Sequence, residues 1–297
     1  SLNQGEWKDS YSGDLAYDGD RHLLYVVDQA NFRVAVFDTK GRKLVASVRV
    51  GRLPFKLMLS QDKRRMFVTN IGMFEYKPIP GADPKDAVRT GLPFPASGFP
   101  SPQAENGVKR QTAEGEVDVP GLGDPNVPES NSLCVVDVAD PAAPKVVKFI
   151  RTGEPFGPES LGGSSPSGLA MTGSTIYVSN GNQDTITTID SESLRVTGQI
   201  ALRIPGLESY RGVLPVGLEV DVTNGRLLVA EAGINAIGVV DLGSGKLTAH
   251  LPAGWFPTAV QAERGQMYVA CAKGIGTGPN ATMTGPMERS FQGEMRT

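Results

Sequence analysis

Residues 22–49, HLLYVVDQANFRVAVFDTKGRKLVASVR, hold three apolar runs separated by short polar breaks. The first ends in Tyr25-Val26-Val27-Asp28, the second is Val34-Ala35-Val36-Phe37-Asp38, and the third spans 43–49. Each is rich in β-branched and aromatic residues, which pack well on a pleated surface. The breaks are turn chemistry: Asp18-Gly19-Asp20 before the first run and Thr39-Lys40-Gly41-Arg42 before the third. Gly, Asp and Asn supply the backbone conformations that tight hairpins need. The stretch therefore predicts an antiparallel meander with strands at about 13–17, 22–27, 33–38 and 43–49.

The pattern recurs along the chain. An aromatic residue or Leu followed by Val returns at Phe67-Val68-Thr69-Asn70, Tyr177-Val178-Ser179-Asn180, Leu228-Val229-Ala230-Glu231 and Tyr268-Val269-Ala270-Cys271. Intervals are 42 residues (25 to 67), 51 (177 to 228) and 40 (228 to 268), but 110 from 67 to 177. An apolar run ending in Asp follows 13 residues later in three copies, at Asp38, Asp190 and Asp241. In the Phe67 copy that run, Leu133-Cys134-Val135-Val136-Asp137, comes 70 residues later, so 57 extra residues sit inside the unit. A third anchor, Gly-x-x-Pro, stands at Gly51/Pro54, Gly163/Pro166, Gly212/Pro215 and Gly254/Pro257. One four-stranded sheet cannot bury both of its faces; radial stacking of several does, and leaves only short edges. The expected fold class is thus all-β, a β-propeller of four-stranded antiparallel blades. The Asp ending each third strand is expected to accept backbone N–H bonds in the next turn, since it recurs in every complete unit. A parallel α/β fold is excluded, because no window of ten residues sustains a 3.6 period with caps; the best helical segment, 290–295, is too short to matter.

Composition agrees. Gly (36) and Pro (22) make up about one residue in five, as a fold with many turns requires. The net charge of −3 excludes a nucleic-acid surface built on a basic stripe. No apolar stretch is long enough to span a bilayer, and residues 1–6 lack the basic-then-apolar pattern of a signal peptide. Cys134 and Cys271 cannot make a disulfide framework and read as small core residues.

The core Phe67-Val68-Thr69-Asn70 and Tyr177-Val178-Ser179-Asn180 resembles the YVTN-type propeller repeat of bacterial and archaeal surface and periplasmic proteins. Residues 28–34, 70–76, 254–259 and 272–280 are similar to the propeller half of bacterial proteins that join such a propeller to an alkaline-phosphatase-type phosphoesterase domain. That resemblance implies an exported protein, located in the periplasm, at the cell surface or secreted. It implies a metal-dependent phosphoesterase domain C-terminal to the propeller, whose ligands map onto no residue here. It also implies a seven-bladed ring, of which this chain holds four nearly complete blades and the start of a fifth; either other segments supply the remaining blades or the ring is smaller than seven. Seven blades of about 42 residues plus the insertion need roughly 350 residues. Residues 1–297 are read as one propeller domain, with 73–130 a Pro-rich insertion within a blade and 274–297 a second insertion or an incomplete blade.

The segment 73–130 has ten prolines and no period of 2 or 3.6. Its aromatics Phe74, Tyr76, Phe94 and Phe99 argue for order, because disordered linkers are aromatic-poor. It is expected to lie across one propeller face as a lid, a ligand gate or a docking surface. The innermost strands follow each Gly-x-x-Pro, which puts Phe55, Ser167, Val216, Thr258 and Trp255 near the central mouth. Trp255 and Arg52, at equivalent positions of their turns, are the least easily explained as core. The expected contacts to a ligand or partner are therefore Arg52, Phe55, Trp255, Phe74, Tyr76, Phe94 and Phe99.

No catalytic or metal-binding residue is assigned. His22, placed in a blade strand, and His250, in an outer strand, are the only imidazoles, which leaves zinc and a Ser-His-Asp set unsupported. The insertion's carboxylates (Asp83, Asp86, Glu105, Glu114, Glu116, Asp118, Asp124) suit Ca²⁺ in type, but no Asp-x-Asp-x-Asp-Gly loop arranges them. The Gly-rich 274–278 is followed by no helix, as a dinucleotide site requires. The leading reading is a non-catalytic scaffold or binding module, with a phosphoesterase-type domain or the remaining blades as partner, and a small ligand or cell-envelope component as a further one. The alternative is a propeller hydrolase of the lactonase kind. It needs polar residues converging on the axis, where Glu219 and Asp221 are the acidic exceptions.

Overall fold

A computed structural model describes residues 1–76, 79, 81–91, 98–113 and 115–274. Blade 1 is β1 (Ser12–Asp18), β2 (Leu23–Asp28), β3 (Arg33–Asp38) and β4 (Lys43–Arg49), hydrogen-bonded in chain order. Blade 2 opens with β5 (Pro54–Leu59) and β6 (Arg65–Asn70). A separate hairpin, β7 (Gly107–Thr112) and β8 (Gly115–Pro120), intervenes before β9 (Ser132–Asp137) and β10 (Lys145–Arg151) complete the blade. Blade 3 is β11 (Pro166–Thr172), β12 (Thr175–Asn180), β13 (Thr185–Asp190) and β14 (Arg195–Ala201). Blade 4 is β15 (Pro215–Asp221), β16 (Arg226–Glu231), β17 (Ala236–Asp241) and β18 (Lys246–Pro252). A fifth begins as β19 (Pro257–Glu263) and β20 (Gln266–Cys271).

The first strands lie side by side in the order β1, β5, β11, β15, β19. Between consecutive blades runs an apolar seam. Tyr25, Val27 and Val34 of blade 1 meet Leu57, Met66 and Val68 of blade 2. Phe67, Leu133 and Val135 meet Leu169, Ile176 and Val178. Tyr177 and Ile186 meet Leu218, Leu227 and Val229, and Leu228 and Ile237 meet Val260. Alternate residues of a strand face opposite sides of its sheet. Hence the anchor aromatic faces the next blade while its sequence neighbours face the previous one. Interior blades are covered on both faces, so the middles of their second strands (Met66–Val68, Ile176–Val178 and Leu227–Ala230) are apolar at consecutive positions rather than at every other one.

The corners are made by non-glycine residues in the left-handed region. Phe32, Asn131, Asp184 and Asn235 precede the third strands, and Leu53, Ser165, Leu214 and Phe256 precede the crossover prolines, all at φ between 46° and 57°. His22 belongs to this class (φ 56°): it closes the turn before β2 rather than lying in a strand. The Asp residues that end the third strands accept turn amides as expected: Asp38 from Lys40, Asp137 from Ala139, Asp190 from Ser193 and Asp241 from Ser244. The outer strands β4, β10, β14 and β18 each break register at one equivalent point. Such bulges twist an edge away from chance pairing.

Because strands alternate in direction, the crossovers between blades and the links from second to third strands emerge on one face. That face carries residues 1–11, the described residues between β6 and β9, and the crossovers 152–165 and 202–214; among the described residues the opposite face carries only short turns. The segment between β6 and β9 contains a 3-10 turn (Pro84–Asp86), α1 (Ala87–Thr90), α2 (Pro102–Asn106) and the β7–β8 hairpin. No sequence period announces them, because the helices are a turn long and most of the hairpin's side chains are half-buried or exposed.

Candidate functional site: the loop-bearing face

Arg52 is the root of this face. Its Nη1 donates to the carbonyl of Met73, to that of Asp124 (3.1 Å) and to Ser130 Oγ (3.4 Å). Ser130 Oγ in turn donates to the Met73 carbonyl (3.1 Å), and Arg52 N to the Glu129 carbonyl (3.0 Å). One guanidinium thus gathers both ends of the inserted segment, which suits its fan of fixed donors. A second tie reaches the 152–165 crossover. Asn126 donates to the Phe156 carbonyl (3.0 Å) and accepts from Phe156 N (2.9 Å). A third is aromatic: Phe99 lies 4.7 Å from Phe74 and 4.8 Å from Phe156 between centroids, with Tyr76 at 6.4 Å from Phe74. Such pairs contribute about 0.5–1.5 kcal/mol each beyond their burial.

Of the residues singled out from sequence, Phe74, Tyr76 and Phe99 come together in this stack. Phe74 is buried within it, while Tyr76 ends it 56% exposed. Arg52 joins it through the carbonyl of Met73, the residue before Phe74. Phe55, on β5, and Trp255, three blades further on at the crossover into β19, are 37% and 44% exposed and stand apart from the stack. Phe94 lies outside the described residues. Val88 on α1 and Leu161, Leu207 and Tyr210 on the crossovers are also exposed on this face.

Sequence reading missed the clips that bind three of the four crossovers to the blade before them. Asn131 Oδ1 accepts from Ser165 N (2.8 Å) and Asn235 Oδ1 from Phe256 N (2.9 Å). Asp184 accepts from Leu214 N (2.9 Å) and Gly212 N (2.7 Å). Their signal is an Asn or Asp immediately before the third strand in three of four blades. Also unforeseen was Arg21, which bonds Asp18, Tyr25 and the carbonyls of Val138 and Lys63 on the opposite face, locking blade 1 to blade 2.

The last residue of each second strand is buried and mostly polar: Asp28, Asn70, Asn180 and Glu231. Asp28 and Arg33 form an ion pair at 2.9 Å with both side chains fully buried. Arg33 also reaches Ser47 and the Leu2 carbonyl, and lies 4.3 Å under the Trp7 ring. Burial pushes the Asp28 carboxyl up, but Arg33, Asn31 and the Tyr11 amide outweigh it and hold it below the usual carboxylate range. In blade 4, Glu231 Oε2 lies 2.6 Å from His250 Nδ1; here burial prevails over the histidine and pushes the Glu231 carboxyl up.

Elsewhere the chemistry is structural. On the inner strands, Glu219 accepts from the Ala262 amide and burial raises its carboxyl, while Asp221 caps the turn at Asn224. Burial pushes up both Cys134 and Cys271, which disfavours the thiolate. Among the described residues no cluster of His, Cys, Asp and Glu is arranged to hold a metal ion. On the opposite face a cleft of about 790 Å³ between blades 2 and 3 is lined by Asp62, Arg64, Arg65, Asp137, Met171 and Glu192.

No protein-family pattern matches the chain, and no curated protein sequence matches it. Solved structures do. A chain from the crystal structure of the nidogen/laminin complex superposes with a TM-score of 0.51 at 15% identity, covering 89% of this chain and 73% of that one. The structure of U3-55K gives 0.56 at 6% identity, covering 91% of this chain and 61% of that one. At such identities the likeness concerns the fold alone. Together with the sheets of four antiparallel strands, it fits a β-propeller-like architecture.

Proposed function

We propose that the chain is a non-catalytic binding scaffold that works through its loop-bearing face. The observation that carries this reading is the inserted segment. It is tied down at Arg52, at the Asn126–Phe156 pair and through the Phe74–Phe99–Phe156 stack, yet it leaves Tyr76 outward. Such an arrangement orders a docking surface in advance, which lowers the entropic cost of binding. Phe55, Tyr76 and Trp255 are the contacts; Arg52, Phe74 and Phe99 support Tyr76, and Phe94 belongs to the same segment. The resemblance of residues 28–34, 70–76, 254–259 and 272–280 to propeller–phosphoesterase proteins names the partner as a phosphoesterase-type domain. It also carries the exported location and the seven-bladed complete ring. The outward faces of blade 1 and of the β19–β20 hairpin present the same surfaces that pack inside the stack, so further blades of this kind are the second partner.

The test titrates a phosphoesterase-type domain of that group against the chain by calorimetry. One variant replaces 71–131 with the four-residue link 181–184 that serves blade 3, and a second is Tyr76→Ala. Hot-spot behaviour predicts a loss of roughly tenfold for Tyr76→Ala and of all measurable binding for the shortened chain. Unchanged affinity of the shortened chain, with its strand circular dichroism intact, would remove the reading.

A further inference from the structure

The crossovers follow a rule that one of them breaks. Two residues past each outer strand, the chain has Gly51, Gly153 and Gly254. Each packs on the last residue of the next blade's second strand: a Cβ would lie 2.4 Å from Asn70 Cγ, 3.3 Å from Asn180 Cγ and 2.9 Å from Cys271 Sγ. At the crossover into blade 4 the glycine is Arg203, the strand-end residue is Glu231, and His250 of β18 reaches between them. His250 Nδ1 lies 2.6 Å from Glu231 Oε2, and Nε2 lies 3.4 Å from the Arg203 carbonyl. Glu231 is fully buried, and its Oε1 has no partner.

We propose that the Glu231–His250 pair is a proton-operated latch on the 202–214 crossover, closed at lower pH and released as pH rises. The number of protons on the imidazole decides which contacts it can make. With two protons on the pair, Nε2–H donates to the Arg203 carbonyl, and the other proton is held between Nδ1 and Oε2. When the shared proton leaves, the neutral ring keeps a single N–H. The shorter contact, to a buried carboxylate, claims it. Nε2 then points a lone pair at the Arg203 carbonyl, two acceptors face to face, and the crossover loses that tie.

The surrounding charges set the direction. From the blade 3 corner, Asp184 adds a second buried carboxylate, which favours uptake of the proton. The cations nearby are committed elsewhere: Arg203 Nη1 donates to the Asp184 and Leu202 carbonyls, and Arg211 Nη1 to that of Gln183. Blade 1 shows the contrast, for there a guanidinium, that of Arg33, rather than an imidazole sits against the strand-end carboxylate of Asp28. The crossover so controlled displays Leu207 (47% exposed) and Tyr210 (70%) on the loop-bearing face. The latch concerns this loop alone and stands whether or not that face binds a phosphoesterase-type domain.

The experiment follows the ring signals of His250 by NMR, which is tractable because the chain has two histidines. His22→Asn, a change suited to a left-handed turn position, assigns the other. Hydrogen exchange of amides 203–212 is measured over about pH 5–9, with rates normalised to the intrinsic pH dependence. Protection is expected to fall about tenfold as pH rises, at the midpoint of the His250 ring, with 185–201 unchanged. In His250→Gln the step disappears. Glu231→Gln serves as a second variant, since an amide already occupies that position in blades 2 and 3, and it too should abolish the step. Flat protection across the ring titration in the wild-type chain overturns the latch, as does an undiminished step in either variant.

Discussion

Arg33 and Asp28 have no route to water, so each depends on the other for its charge. Removing one partner of such a pair costs about 3–5 kcal/mol, whereas replacing both with apolar residues of similar volume is often neutral. Arg33→Ala is therefore expected to lower the urea-unfolding free energy by about that amount, and the Asp28→Leu/Arg33→Met double variant by much less. The acid branch has a defined sign. Asp28 sits below the usual carboxylate range in the folded chain, so it binds its proton more weakly there than when unfolded. Its contribution is present above the unfolded value of about 3.9 and is lost as pH falls through the lower folded value. Asp28→Asn should flatten stability against pH in that acidic window; an acid branch identical to the wild type would refute the assignment. Arg33 also marks a limit of sequence reading. It opens β3 in a surface-like pattern, and only the approach of Trp7 and Leu2 shows it to be interior.

At the scale of the elements, what joins blade to blade is a short list of polar clips and close backbone approaches. Asp184 holds two amides of the next crossover, and Asn131 and Asn235 each hold one. Asp184→Ala is expected to lose about 1–3 kcal/mol, since it strips two crossover amides of their acceptors, while Asp184→Asn, which keeps one acceptor oxygen and turns an NH2 toward the other amide, recovers only part of the loss. Equal losses in both, read by chemical denaturation, would mean that the clip works only with both carboxylate oxygens in place. The first strands touch through glycine: a Cβ on Gly217 would stand 2.6 Å from the Thr258 carbonyl, and one on Gly168 2.8 Å from that of Val216. Gly217→Ala must therefore push β15 from β19, at a cost of about 1–3 kcal/mol. The strands themselves were legible, with 13–17, 22–27, 33–38 and 43–49 expected against Ser12–Asp18, Leu23–Asp28, Arg33–Asp38 and Lys43–Arg49 observed.

For the whole molecule, the stack is defined by what its end faces lack. Leu15 (61% exposed) and Tyr17 (55%) lie on the outward face of blade 1, and Met267 and Tyr268 are exposed on the last hairpin. Tyr268 occupies the anchor position that in blades 1 to 4 faces the next blade. Exposed apolar patches of this kind mark interaction surfaces. The isolated chain is expected to associate with rising concentration, and Leu15→Lys/Tyr17→Lys to shift it towards monomer by light scattering. Indifference of the association to that double change would place the contact elsewhere.

The amino-acid sequence by itself determined the strands, their turns and the sheets they form. Those depend on hydrogen bonds between neighbours in the chain and on apolar positions read two residues at a time. Only the tertiary structure decided the roles of Arg52, whose partner Asp124 is 72 residues away, and of Arg65, which reaches the Ser191 carbonyl from 126 residues away. It also decided which aromatics of the inserted segment meet. These are contacts of a few ångströms between distant parts of the chain, and no local period encodes them.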